Sequence, residues 1–142
     1  MKTSSTRRSL IALARRILHS YFASSSLDLL LAYLAPDVVW LGAGREMSAE
    51  GRQRVGDIFR YVSWLIPCVM SQETYRAKEL TEDLWLVEGS CQLRADSSYK
   101  VYLQEYQRCT FIFTVKKRLS QLYHRFDVTN RTSLIHKFKG KA

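Results

Sequence analysis

Only two prolines and six glycines punctuate the 142 residues, and just three cysteines are spread among them. Cys68, Cys91 and Cys109 are too few and too far apart for a zinc knuckle or a CxxC redox pair, and their odd number opposes a disulfide framework. A reducing, cytoplasmic setting is therefore expected. No stretch approaches the roughly 20 apolar residues that a membrane span requires, so no membrane insertion is expected. Histidine is equally sparse: His19, His124 and His136 stand far apart with no ligand spacing, which predicts no metal. No cofactor motif is present either.

Acids are missing from both ends. Residues 1–16 hold Lys2, Arg7, Arg8, Arg15 and Arg16, and residues 130–142 hold Arg131, Lys137, Lys139 and Lys141, without one acidic residue in either segment. Everything between is balanced, so the net charge of +9 belongs to the termini. A nucleic-acid reader would carry that charge on a folded face, so solvated ends are the simpler account and no nucleic acid is expected. The acid-free, Ser- and Arg-rich start has the composition of a transit peptide. Its apolar positions run straight into a core-type helix, however, and it reads as structure. Arg15 and Arg16 also interrupt any signal-peptide run. Asn130-Arg131-Thr132 is a formal glycosylation sequon with no other secretory feature beside it.

What is present is an ordinary globular composition, 46% apolar, at the length of one domain spanning 1–142. Its core is expected over about 10–129, with 130–142 as a basic tail. Leu10, Leu13, Ala14, Ile17, Leu18 and Tyr21 recur at helical spacing. Ser24, Ser25 and Ser26 break that helix and cap a second one, whose leucines at 27, 30, 31 and 34 precede Pro36. A short β-type run at 38–41 stops at Gly42 and Gly44. Ser48 is positioned to cap a third helix with Val55, Ile58, Phe59, Val62, Leu65 and Ile66 as its stripe, closed by Pro67. From Cys68 the period becomes two, predicting strands over about 68–80, 84–94, 99–115 and 119–129 with polar turns between them. Three helices followed by a four-strand meander predict an α+β fold: helices packed on a strongly curved, mostly antiparallel sheet that encloses one pocket.

The residues Leu27-Asp28, Leu34-Ala35-Pro36-Asp37-Val38-Val39-Trp40, Glu50-Gly51 and Cys109-Thr110-Phe111-Ile112-Phe113 resemble the nuclear-transport-factor-2-like superfamily, in its SnoaL-like bacterial branch. The resemblance runs over about 10–129. It implies a cone-shaped, cystatin-like roll whose bent sheet wraps the long helix, in a superfamily of isomerases, cyclases, dehydratases and proteins that only bind ligands or partners. Fold alone does not choose among these. In the ketosteroid-isomerase branch a carboxylate base ends the first strand; that place is Gly42 here. Its carboxylic-acid oxyanion donor falls on Cys109, a poor donor, and its phenol falls near Leu18, with Tyr21 one turn later.

The resemblance places Trp40, Gln107, Cys109, Leu122, His124 and Phe126 on the concave face, in agreement with the period-two pattern. Tyr21, Phe59, Trp64 and Glu105 complete the expected lining, apolar walls with a few orienting polar groups. Trp64 either lines the mouth or packs in the core. His124 is the sharpest candidate for acid–base chemistry, with a buried Glu105 carboxylate and Asp37 behind it; a wall histidine bonded to Gln107, Tyr21 or Glu105 is the simpler account. Glu105 reads as a rim residue or a partner of Arg94, and Cys109 as a nucleophile only if His124 lies beside it. The expected function is binding of a small apolar or aromatic molecule without a recognisable catalytic set. The alternatives are a cyclase- or isomerase-like enzyme using His124, and an interaction module whose interior is filled by its own side chains. Tyr102, Tyr106, Ile112 and Tyr123 make the outer sheet face aromatic, and the resemblance implies a homodimer through it.

Overall fold

The computed structural model describes the backbone of residues 2–42, 44–63, 67–95, 104–118 and 121–130, and the side chains of 4–42, 44–61, 67–95 and 104–115. Helix α1 spans Lys2–Leu18 and buries the stripe Leu10, Leu13, Ala14, Ile17 and Leu18. The helix then widens into a π-helical turn, His19–Ala23, closed by the Ser24 N–H donating to the His19 carbonyl at 3.2 Å. The wider turn shifts the helical face. Neighbouring Tyr21 and Phe22 are both buried as a result, with ring centroids 4.9 Å apart. Helix α2, Asp28–Tyr33, follows; its N-cap position is Leu27, which makes no side-chain cap. Ser26 Oγ, one residue earlier, accepts the Asp28 N–H at 3.4 Å as a local turn.

Strand β1 covers Val39–Gly42 and β2 covers Ser48–Glu50, paired antiparallel with Trp40 opposite Ala49. Ser48 therefore belongs to a strand and does not cap a helix. The third helix, α3, starts later, over Arg52–Ser63. The reason is local: Gly51 takes φ +92° between strand and helix, and its N–H donates to the Val38 carbonyl at 2.8 Å. That left-handed conformation favours glycine.

Strands β3 (Cys68–Glu79), β4 (Leu84–Ala95), β5 (Gln104–Arg118) and β6 (Gln121–Asn130) form the expected antiparallel meander. The sheet order is β2-β1-β6-β5-β4-β3, with β1 running parallel to β6, so the sheet is open and mostly antiparallel. Alternation holds along β4 and β5: Trp85, Val87, Cys91 and Leu93, and Gln107, Cys109, Phe111, Phe113 and Val115, are buried. Helix α1 packs on β3 and β4. Two basic residues of the N-terminal segment are not merely solvated, because Arg7 lies over the Trp85 ring at 5.6 Å and Arg15 over Tyr75 at 4.9 Å. Among the described residues no helix is long and apolar enough to cross a membrane.

Candidate functional site

The inner face of the sheet changes character along its strands. Cross-strand rows pair Trp85 with Phe113, Val87 with Phe111, Gly89 with Cys109, Cys91 with Gln107 and Leu93 with Glu105. The first two rows are apolar and the last two place polar groups against apolar partners. Trp40 on β1 reaches the second row through Val128, which pairs with both Trp40 and Phe111.

The aromatic end is closely filled. Tyr21 meets Phe59 edge-on at 5.5 Å, and Phe59 meets Trp40 at 6.0 Å. Tyr21, Phe59, Cys109 and Phe111, with Ile17, Leu18, Phe22 and Leu30, leave a void of about 10 Å³, room for about one water. Burial, and then the neighbouring Cys109, push the Tyr21 phenol far above its ordinary range, so it stays protonated. Trp40 is 2% exposed, and its indole Nε1 has no hydrogen-bond partner among the described residues. Gln107 is 1% exposed and donates from Nε2 to Glu105 Oε1. Arg94 sits opposite Gln104 while Glu105 sits opposite Leu93, which puts Arg94 and Glu105 on different faces of the sheet.

The structure thus brings Tyr21, Phe59 and Cys109 together around one void, and packs Trp40 against Phe59. Gln107 and Glu105 form a bonded pair two rows further along. Trp64 lies outside the described residues. Leu122, His124 and Phe126 lie in β6 with backbones opposite Lys117, Val115 and Phe113; their side chains lie outside the described ones.

At Gly42, where the resemblance implied the place of a carboxylate base, there is no room for a side chain. Gly42 ends β1, and a Cβ there would sit 2.7 Å from Met47 Cβ and 3.0 Å from the Trp40 ring. Met47 is held by its carbonyl, which accepts the Gly42 N–H at 2.6 Å.

A second polar cluster was invisible to sequence reasoning. A β-bulge at Gln72 and Glu73 sets two residues of β3 opposite Cys91 of β4. This reverses the strand's parity, so that Glu73, Tyr75 and Ala77 become the less exposed positions. Glu73 Oε1 accepts hydrogen bonds from His19 Nε2 at 2.7 Å and from the Tyr75 hydroxyl at 2.8 Å. Partial burial alone would raise the Glu73 carboxyl. The bonds from Tyr75 and His19 and the charges of His19 and Arg15 outweigh it, and the group titrates below the usual range. Burial, then the Glu73 bond and charge, raise Tyr75. Burial, then Glu73, then Cys68, push the Cys91 thiol up to about 12, which makes it a poor nucleophile. His19 and Glu73 are 54 residues apart, and no spacing rule joins them. Among the described residues no three metal-ligating side chains gather.

No protein-family model matches the sequence, and no curated protein matches it. Solved structures do match. An NTF2-like protein of unknown function from Pseudomonas putida superposes with a TM-score of 0.62 at 13% identity, over 87% of each chain. A ketosteroid isomerase-like protein from Erwinia carotovora atroseptica gives 0.58 at 17% identity, over 84% of this chain and 91% of that one. A protein of unknown function with a cystatin-like fold from Nostoc punctiforme gives 0.56 at 14%, over 87% and 90%. Together with three helices on an open, mostly antiparallel sheet, these likenesses establish that the chain has the NTF2-like, cystatin-like α+β fold.

Proposed function

We propose that the chain is a small-molecule-binding domain of SnoaL-like type, holding a small apolar or aromatic ligand that carries one hydrogen-bond acceptor. The observation that supports this most directly is the Trp40 indole N–H, buried among apolar groups with no partner among the described residues. A desolvated donor costs about 1–3 kcal/mol, which an acceptor on a ligand would recover. The ligand's apolar body would lie against Phe59 and Tyr21, with the Gln107–Glu105 pair orienting its polar edge. The void of about 10 Å³ requires the aromatic side chains to yield on entry. A reducing cytoplasmic setting belongs to the same proposal, since three cysteines so scattered in the sequence suit no disulfide framework. A homodimer through the outer sheet face belongs to the same proposal.

The test is a calorimetric or native mass-spectrometric screen of aromatic carbonyl compounds, followed by Trp40→Phe. Loss of the indole N–H is expected to weaken a hit by about tenfold, the worth of one hydrogen bond to a neutral acceptor. Binding unchanged in Trp40→Phe would sink this reading. The same small void supports a second reading, an interaction module whose interior is filled by its own side chains. That reading is favoured if no compound binds and the protein resists ligand-induced stabilisation altogether.

A further inference from the structure

Outside the sheet's inner face, a groove of about 590 Å³ opens between the end of α1, the π-helical turn and α2. Arg16 lines it from α1 and Asp28 from the first position of α2, with the Ser20, Ser24 and Ser26 hydroxyls and His19 between them. Arg16 and Asp28 are both exposed, and neither side chain has an ion-pair or hydrogen-bond partner among the described residues. Half-buried Leu29 and exposed Ala32 supply the apolar part of the lining.

The groove is built from irregular backbone. A π-helical turn is rare and recurs at functional sites. Ser25 follows it with φ +52°, a left-handed conformation that costs a non-glycine residue about 1 kcal/mol or more. The wall at His19 is braced from behind, since Glu73 holds the imidazole and is itself held by Tyr75, whose ring carries Arg15. The brace spans two chain irregularities, the π-helical turn and the β3 bulge, and fixes one groove wall against the sheet.

We infer that this groove is a second binding site, independent of the inner-face reading above, for a small zwitterion of the α-amino-acid class with a short apolar side chain. Opposite charges lining one groove match a ligand that carries a carboxylate and an ammonium together. A simple anion would leave Asp28 uncompensated and a simple cation would leave Arg16 uncompensated. The planar guanidinium suits a carboxylate, which it can bind with two N–H groups. Hydroxyls at Ser20 and Ser24 add donors beside it, and Leu29 and Ala32 receive the side chain. Because the groove is open to water, the ion pairs are screened and affinity is expected near about 1 mM.

The experiment is an amide-resolved NMR titration of the whole chain with L-leucine, 4-methylpentanoate, which lacks the ammonium, and isopentylamine, which lacks the carboxylate. Leucine is expected to give saturable shifts at Ser20, Ala23–Ser26 and Leu29, with each analogue weaker by about tenfold. Arg16→Gln should abolish the preference for leucine over isopentylamine while keeping that over 4-methylpentanoate. Asp28→Asn should do the reverse. Arg8→Gln, an equal loss of charge on an exposed α1 position, should change neither. The inference is overturned if leucine causes no saturable shift, if both analogues bind as well as leucine, or if the shifts fall on Trp40, Gln107 and Cys109. That last pattern would instead report occupancy of the inner face.

Discussion

A methyl group at Gly42 would meet Met47 Cβ at 2.7 Å and Met47 Cε at 2.9 Å, and the Met47 backbone is pinned by a hydrogen bond. The smallest side chain therefore overpacks the end of β1, and a carboxylate does so while also burying charge. Gly42→Asp is expected to cost about 2–3 kcal/mol in denaturant unfolding, and Met47→Ala in the same chain should recover part of it by opening the space. Equal stability of Gly42→Asp and the parent would mean that Met47 moves freely and does not plug the site. At Glu73 the consequence is a pH dependence. The folded carboxyl titrates below its unfolded range, so its contribution is fully present above the unfolded value of about 4.3 and is lost as pH falls through the lower folded value. Glu73→Gln should therefore lower stability at pH 7 yet lose less than the parent on acidification to about pH 3. Parallel stability–pH curves for the two proteins would contradict this assignment.

On the scale of elements, the two places where the chain departs from regular geometry also decide what the inner face presents. Gln72 sits in the β3 bulge with φ +51°, exposed, so its side chain gives little back for the strain. Gln72→Gly is expected to raise stability by about 1 kcal/mol without altering the His19–Glu73 bond. Deleting Gln72 should remove the bulge and leave Glu73 opposite Cys91 and Tyr75 opposite Gly89. Both then keep their faces, and the His19 ring resonances should retain their carboxylate contact. Loss of that contact would mean that the bulge itself aims Glu73 at His19. This is also where the sequence stops being readable. Period-two spacing located β4 and β5 and separated their buried residues correctly, because burial of one face imposes that alternation. Helical spacing located α1 for the same reason. Neither a π-helical turn nor a bulge leaves a periodic trace, since each is a single inserted residue. The β1–β2 hairpin is too short to alternate, which is why Ser48 read as a helix cap. Trp40, Phe59, Tyr21 and Cys109 were legible as neighbours through their apolar phase and the family resemblance. The His19–Glu73 pair was not, because only the tertiary contact between the π-helical turn and β3 at the sheet edge brings its members together.

For the molecule as a whole, the sheet has one edge at β2 and one at β3. Strand β3 is an unsuitable template for a further strand, because its bulge breaks the ladder and Arg76, Lys78 and Glu79 stand exposed along it. The homodimer proposed above would instead use the sheet's outer face. There, Tyr106 is 48% exposed beside a depression of about 290 Å³. The depression exists because Thr74 and Ser90 are small, and their hydroxyls bond to each other at 2.5 Å instead of reaching outward. Arg76, paired to Glu88 at 3.0 Å, and Arg108 rim it. Two such faces related by a twofold axis would let each Tyr106 enter the depression of the other copy, an isologous contact with an aromatic anchor and a charged rim. Tyr102 and Tyr123, which the sequence also assigns to this face, lie outside the described side chains. Sedimentation at micromolar concentration is expected to give a dimer, and Tyr106→Glu to weaken it by at least about tenfold by facing each copy's glutamate with the other's Glu88. Glu88→Gln in the Tyr106→Glu background should restore part of the affinity, a rescue that general damage to the sheet would not permit. A monomer at all concentrations, or a dimer indifferent to Tyr106→Glu, removes the outer face as the interface and leaves its tyrosine and arginines to be explained by something other than a second copy.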